Sequence, residues 1–269
     1  VNAGSSSGGI IALGLTNTNP ESTTTYTAKD IKNLFFNHAS TIFSRTTFKF
    51  LRSLNNITEE KYSSTGLEST LTHYFHQKQL KDCLKPTIIT AYELTNRKPK
   101  FFKSFDSQDQ AVDIKTIAQA TSAAPSFFEP VEYKNKSYID GGIVANNPAL
   151  CAYIEAKKQF PDAENIHVLS IGSGEFEEGI KHEDAKSWGL LGWSRHFIDI
   201  MLDGPNDAID HQLNTLTNYN NDRYLRLNPV IPKECRHIDN ADKKNLKTLI
   251  EIGDQAVKSN EDKIKRFLK

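Results

Sequence analysis

Apolar positions along the chain fall into short runs with two different periods. Ile10–Leu15 is an uninterrupted apolar run directly after a glycine–serine cluster and predicts a buried helix. The polar stretch Thr16–Thr27 (TNTNPESTTTYT) predicts a loop. From Ala28 onward, Ile31, Leu34 and Phe35 recur at helical spacing. Residues Ser53–Lys81 read as weakly amphipathic helix, whereas Thr87–Leu94 and Lys100–Phe105 are β-branched and aromatic and predict strands. Val112–Ala124 is helical by period and is stopped by Pro125. Ser137–Asp140 predicts a short strand running into Gly141 and Gly142. Asn147 as N-cap and Pro148 at the first helical position then open a helix that carries Leu150, Tyr153, Ile154 and Lys157 toward Gln159. His167–Ile171 predicts a buried strand, and Ser187–Asp203 an amphipathic helix. A last helix from about Asp242 has Leu246, Leu249, Ile250, Gly253 and Val257 along one stripe. This alternation predicts an α/β fold, with a mainly parallel central sheet and helices on both faces. With neither repeat nor linker in the sequence, the expectation is a single domain over residues 1–269.

Composition narrows the chemistry. Thirty-three basic residues balance 33 acidic ones, so charge provides no case for a nucleic-acid partner. Ile10–Leu15 is far short of the roughly 18 apolar residues of a membrane span. Cys83, Cys151 and Cys235 are too scattered for a disulfide framework and lack the CxxC spacing of a zinc site, which suits a reducing compartment or simple indifference to redox. His73 and His76 lie three apart, but no further ligand follows at metal-site spacing. No metal and no organic cofactor is expected.

Two short motifs carry candidate chemistry. Gly4-Ser5-Ser6-Ser7-Gly8 fits G-x-S-x-G with Ser6 at its centre, the pattern of a serine nucleophile on a cramped strand-to-helix turn. In that pattern Gly4 and Gly8 avoid a Cβ collision with the adjoining elements, and the amide of Ser7 faces developing negative charge. Taken alone, GSSSGG reads equally as a flexible linker. Asp140 ends a strand and precedes Gly141-Gly142, which let the backbone turn sharply. Alone, this reads as an ordinary turn.

Together the segments resemble the patatin-like phospholipase family: GSSSG at Gly4–Gly8, ATSAAP at Ala120–Pro125, and DGG at Asp140–Gly142. IITAYEL (Ile88–Leu94), VANNPAL (Val144–Leu150), LSIGSG (Leu169–Gly174) and IDNA (Ile238–Ala241) follow in family order across nearly the whole chain. The resemblance implies a three-layer patatin-like fold and a lipid acyl hydrolase of phospholipase A or lysophospholipase type. It further implies a Ser–Asp dyad of Ser6 and Asp140 working through an acyl-enzyme, with a phospholipid or other lipid ester as substrate. Such chemistry requires a sheltered Asp140 with no cation beside it. Family members occur inside bacteria, as secreted bacterial effectors and in eukaryotes, so localisation stays open between cytoplasm and secretion.

The chain departs from the family pattern in one respect. The glycine-rich loop D-G-G-G-x-R-G, which supplies oxyanion amides upstream of the nucleophile, has no counterpart here. The expectation is a catalytic domain given without its N-terminal strand and that loop. Two alternatives stand beside the dyad: a carboxylesterase or acyltransferase with a triad through His211 or His237, and a non-catalytic lipid- or partner-binding relative. Finally, Trp188, Trp193 and Phe197 on the Ser187–Asp203 helix are candidate lipid-contacting residues for peripheral membrane binding, with an ordinary core helix as the competing interpretation.

Overall fold

The computed structural model describes residues 1–19, 24–44, 62–176 and 179–269, without the side chains of residues 190, 191, 194–199, 202 and 203. It divides into two compact units, Val1–Ala152 and Tyr153–Lys269.

In the first unit, strand β1 (Asn2–Gly4) feeds helix α1 (Ser7–Leu15). Helices α2 (Ala28–Ile42) and α3 (Ser64–Phe75) follow, then strands β2 (Thr87–Glu93) and β3 (Lys98–Lys103). Helix α4 (Ile114–Thr121), strands β4 (Val131–Tyr133) and β5 (Lys136–Ile139), and the single turn α5 (Gly142–Ala145) complete it. The unit boundary falls within α6 (Ala149–Gln159).

The α/β class expected from the sequence holds. β1 and β2, joined by a long helical crossover, are parallel. The tight connections β2–β3 and β4–β5 add antiparallel pairs, as hairpins must. The strand β2 organises the rest. β3 pairs with it along Ile88–Glu93, so β1, opposite Thr87–Ile89, and β5, opposite Tyr92 and Glu93, share its other edge. On that edge β1 runs parallel to β2 and β5 antiparallel to it. Their C-terminal ends therefore run toward each other, with only Thr90 and Ala91 of β2 between them. This head-to-head arrangement makes the residues after Gly4 and after Ile139 neighbours.

Both faces of β2 are buried. Ile89 and Ala91 join the core cluster of Leu13, Leu34, Leu71, Phe75, Leu80, Phe102, Ile114 and Ile117, while Ile88 and Thr90 on the opposite face are also fully covered. α2 starts at a capping box: the Thr27 hydroxyl accepts from the Asp30 amide and the Asp30 carboxylate accepts from the Thr27 amide. Its expected inner face is the observed one, with Ile31 and Leu34 buried. The predicted 16–27 loop carries a bridge between Thr18 and Thr25. Residues 20–23 lie outside the described residues, as does 45–61, the start of the predicted 53–81 helix included. The Asn147 Oδ1 accepts from the Ala149 amide at 3.1 Å, which is the bond of the predicted cap.

The second unit contains β6 (His167–Ile171) paired in parallel with β7 (Arg223–Leu227). Its helices are the short α7 (His182–Ala185), the 30-residue α8 (Leu190–Tyr219), α9 (Lys243–Ser259) and α10 (Glu261–Phe267). Three expectations change here. β6 is covered on one face only: Val168 and Ser170 are buried, but Leu169 and Ile171 are exposed, because the period along the strand is two. α8 continues 16 residues beyond Asp203 with Pro205 inside it. Along α9 the predicted stripe is only half buried at Leu246, Leu249 and Ile250, and Val257 is exposed. β7 has no apolar alternation to announce it: arginines stand at both Arg223 and Arg226.

Candidate active site

Ser6 occupies the turn between β1 and α1 with φ 53° and ψ −128°, a conformation that L residues adopt only when their surroundings enforce it. The turn is tight, with Gly4 packed directly against the start of α1. A Cβ there would lie 2.2 Å from the Gly8 carbonyl oxygen. The second motif glycine behaves otherwise. Nothing lies within 4 Å of a Cβ built at Gly8, so the expectation that both glycines are sterically required holds at Gly4 and fails at Gly8. The close approach falls one residue later, at Gly9, whose Cβ would meet Thr121 Cγ2 at 2.7 Å and Ile89 Cγ2 at 3.2 Å. Ser7 is exposed as the first residue of α1, where backbone amides have no intrahelical acceptor.

Asp140 follows β5 directly and is 6% exposed. The Ser6 hydroxyl donates to its Oδ2 at 2.7 Å, joining residues 134 positions apart. The Gly142 amide donates to Oδ1, also at 2.7 Å. The bond between hydroxyl and carboxylate is direct, with no histidine between them. Gly141 is packed so closely on β2 that a Cβ would come 2.2 Å from the Thr90 carbonyl oxygen. The Thr90 hydroxyl in turn donates to the Gly141 carbonyl at 3.2 Å.

Burial pushes the Asp140 carboxyl up to about 6, although the Gly142 amide and the Ser6 hydroxyl pull the other way. No lysine or arginine among the described residues contributes to that shift. The result is a carboxylate ionised at neutral pH yet more basic than an exposed aspartate, in hydrogen-bond contact with a serine hydroxyl.

The C-terminal end of α4 and the residues just after it touch both halves of the pair. The Thr121 hydroxyl accepts from the Ser6 amide at 2.9 Å, the Thr121 carbonyl accepts from Gly141, and the Ala123 carbonyl accepts from Asp140. Sequence reasoning used Ala120–Pro125 as a family match and missed this role, since nothing in its spacing reveals a bond to residue 6.

The remaining candidates separate from this pair. Trp188 and Trp193 belong to the second unit and meet edge to face at 5.3 Å, with Trp193 47% exposed. The Phe197 side chain lies outside the described residues. His211 and His237 are exposed members of the second unit. Among the described residues no group of three or more His, Cys, Asp or Glu side chains could hold a metal ion. Nor is any described helix long and apolar enough to cross a membrane.

A family model described as patatin-like phospholipase matches residues 1–153, nearly coincident with the first unit that holds Ser6 and Asp140. Patatin-like protein 2 of Oryza sativa subsp. indica is 26% identical over 301 residues, taking in 97% of this chain and 74% of its own. Patatin-like protein 2 of Arabidopsis thaliana is 28% identical over 293 residues, with 95% and 72% covered. Patatin-like protein 6 of the same plant is 32% identical over 161 residues, or 54% of this chain and 32% of its own. On the family match across more than half its length, the chain belongs to the patatin-like phospholipases, and that membership implies lipid acyl hydrolase activity.

Proposed function

We propose that the chain cleaves carboxylic esters of phospholipids, in the manner of a phospholipase A or lysophospholipase, through a dyad of Ser6 and Asp140. The observation that carries this is the 2.7 Å bond from the Ser6 hydroxyl to Asp140 Oδ2. A serine hydroxyl needs a base within hydrogen-bond reach, and here the base is the carboxylate itself. As Ser6 Oγ attacks the ester carbonyl carbon, its proton passes to Asp140. The carbonyl oxygen becomes an oxyanion, for which the Ser7 amide at the start of α1 is one donor. Collapse breaks the bond to the alcohol oxygen, and the proton on Asp140 goes to that leaving group. The acyl group stays on Ser6. Water then gives a proton to Asp140 as its oxygen attacks the acyl carbon. The fatty acid departs, and the proton returns to Ser6 Oγ.

Burial of Asp140 supports this assignment. A carboxylate left at its ordinary acidity would be a poor base toward a hydroxyl, and desolvation moves Asp140 toward the operating pH. Exposure of Trp193, Ile200 and Met201 on α8 supports contact with a lipid surface by the second unit, since an aromatic ring suits the membrane–water boundary.

Replacing Ser6 by Ala or Asp140 by Asn in the full chain tests the dyad. Turnover of mixed phospholipid vesicles should fall about a thousandfold or more in each. A fluorophosphonate should label Ser6 in the unmodified protein and nothing in Ser6→Ala. Turnover by Asp140→Asn with loss in a His211 or His237 variant would favour a triad, and an unlabelled Ser6 would favour a non-catalytic relative.

A further inference from the structure

The bond most easily overlooked in this site is one in which no catalytic atom takes part. Ser6 stands at positive φ, and a backbone held there depends on its surroundings to stay there. Its amide points to a fully buried side chain, Thr121, whose hydroxyl accepts at 2.9 Å. The same residue's carbonyl accepts from the Gly141 amide at 2.9 Å, on the turn that carries Asp140. Its methyl faces Gly9, where a Cβ would come within 2.7 Å. One residue thus contacts the nucleophile turn, the helix leaving it and the carboxylate turn.

We infer that Thr121 is a positioning residue: its hydroxyl fixes the Ser6 backbone while its carbonyl fixes the Asp140 turn, so that hydroxyl and carboxylate are held at bonding distance before substrate arrives. This inference rests on the dyad proposed above. It also assigns the two polar groups of Thr121 separable tasks. The side chain serves residue 6, and the main chain serves residue 141. Valine, which has the shape of threonine without its oxygen, removes the first task and leaves the second. Serine keeps the oxygen and removes only the methyl.

The separation gives the test an internal control. In Thr121→Val of the full chain, hydrogen exchange at the Ser6 amide should quicken about tenfold or more while the Gly141 amide stays within about twofold of wild type. On a soluble short-chain ester, kcat should fall about ten- to a hundredfold with KM unchanged, and Thr121→Ser should return to within about threefold. Acceleration at both amides together would mean general loosening and overturn the inference. So would a Thr121→Val variant with kcat within threefold of wild type, or a Thr121→Ser variant as impaired as Thr121→Val. If the wild type neither hydrolyses the ester nor labels with phosphonate, yet Ser6 alone loses protection in Thr121→Val, the positioning bond stands and the hydrolase reading falls.

Discussion

Asp140 in the first unit and Asp222 in the second are both nearly closed to solvent, 6% and 7% exposed, but Asp140 lies deeper among protein atoms and the two are held in opposite ways. Asp222 accepts from the Tyr153 hydroxyl at 2.7 Å and from the Ile166 amide at 2.6 Å, and pairs with Lys157 at 2.8 Å. Burial alone would raise its carboxyl, but these donors and the lysine charge outweigh that and hold it below the usual range. Asp140 is the more deeply desolvated of the two, accepts two bonds and meets no cation, so burial prevails and its carboxyl rises to about 6. The other buried acids are likewise paired with a lysine: Glu93 meets Lys136, Asp109 meets Lys100, and Glu155 meets Lys158. Among the described residues, Asp140 is the buried acid that faces a hydroxyl instead of a lysine. A fold that pairs its other buried carboxylates and leaves this one basic supports the proton-transfer role proposed for it.

The contrast can be tested in steps of decreasing effect. Because Asp140 must be ionised to accept a proton, kcat/KM should fall about tenfold per pH unit below 6, reaching about a hundredfold loss near pH 4. A limb centred near pH 4 would mean that the base is an ordinary carboxylate.

Stability should respond in the opposite sense. With a folded-state value of about 6 against roughly 3.9 when unfolded, the native state keeps the Asp140 proton where the unfolded chain has lost it. Stability therefore declines as pH rises through that interval. Asp140→Asn should gain about 1–3 kcal/mol at pH 7 and nothing below pH 4, as denaturant titrations at the two pH values would show. Equal effects at both would dissociate the gain from ionisation.

At the paired aspartate the expectation reverses. The depressed carboxyl of Asp222 gives stability that is present at neutral pH and lost as acid titrates it. Tyr153→Phe, which removes one donor, should cost about 1–2 kcal/mol at pH 7 with no change in kcat, measured by urea denaturation and ester turnover. The smallest effect belongs to the motif glycine with open space around it. Gly8→Ala should leave stability unchanged or improve it by up to about 1 kcal/mol in thermal melts, since alanine suits a helix better. Gly4→Ala, directed into the Gly8 carbonyl, should not fold normally.

Local features of the fold were legible in the sequence. The Asn147 cap, the inner face of α2 and the strand β2 all follow from residue type and period over a few positions. Where burial decided, the same reasoning fell short. β6 is exposed on one face, and β7, with arginines at Arg223 and Arg226, carries no strand signal that its parallel partner does not supply. The proposed dyad was legible as two motifs in family order. Thr121 was not, because its bonds reach 115 positions back and 20 forward.

The sequence by itself, through several short motifs in family order, singled out which residues could do chemistry: the serine at the centre of G-x-S-x-G and the aspartate before two glycines. Only the tertiary structure decided that they meet and that the carboxylate is basic. β1 and β5 must run head to head along one edge of β2 to bring them together. Desolvation belongs to everything packed around a group, so the proton affinity of Asp140 exists only once the whole first unit has closed over it.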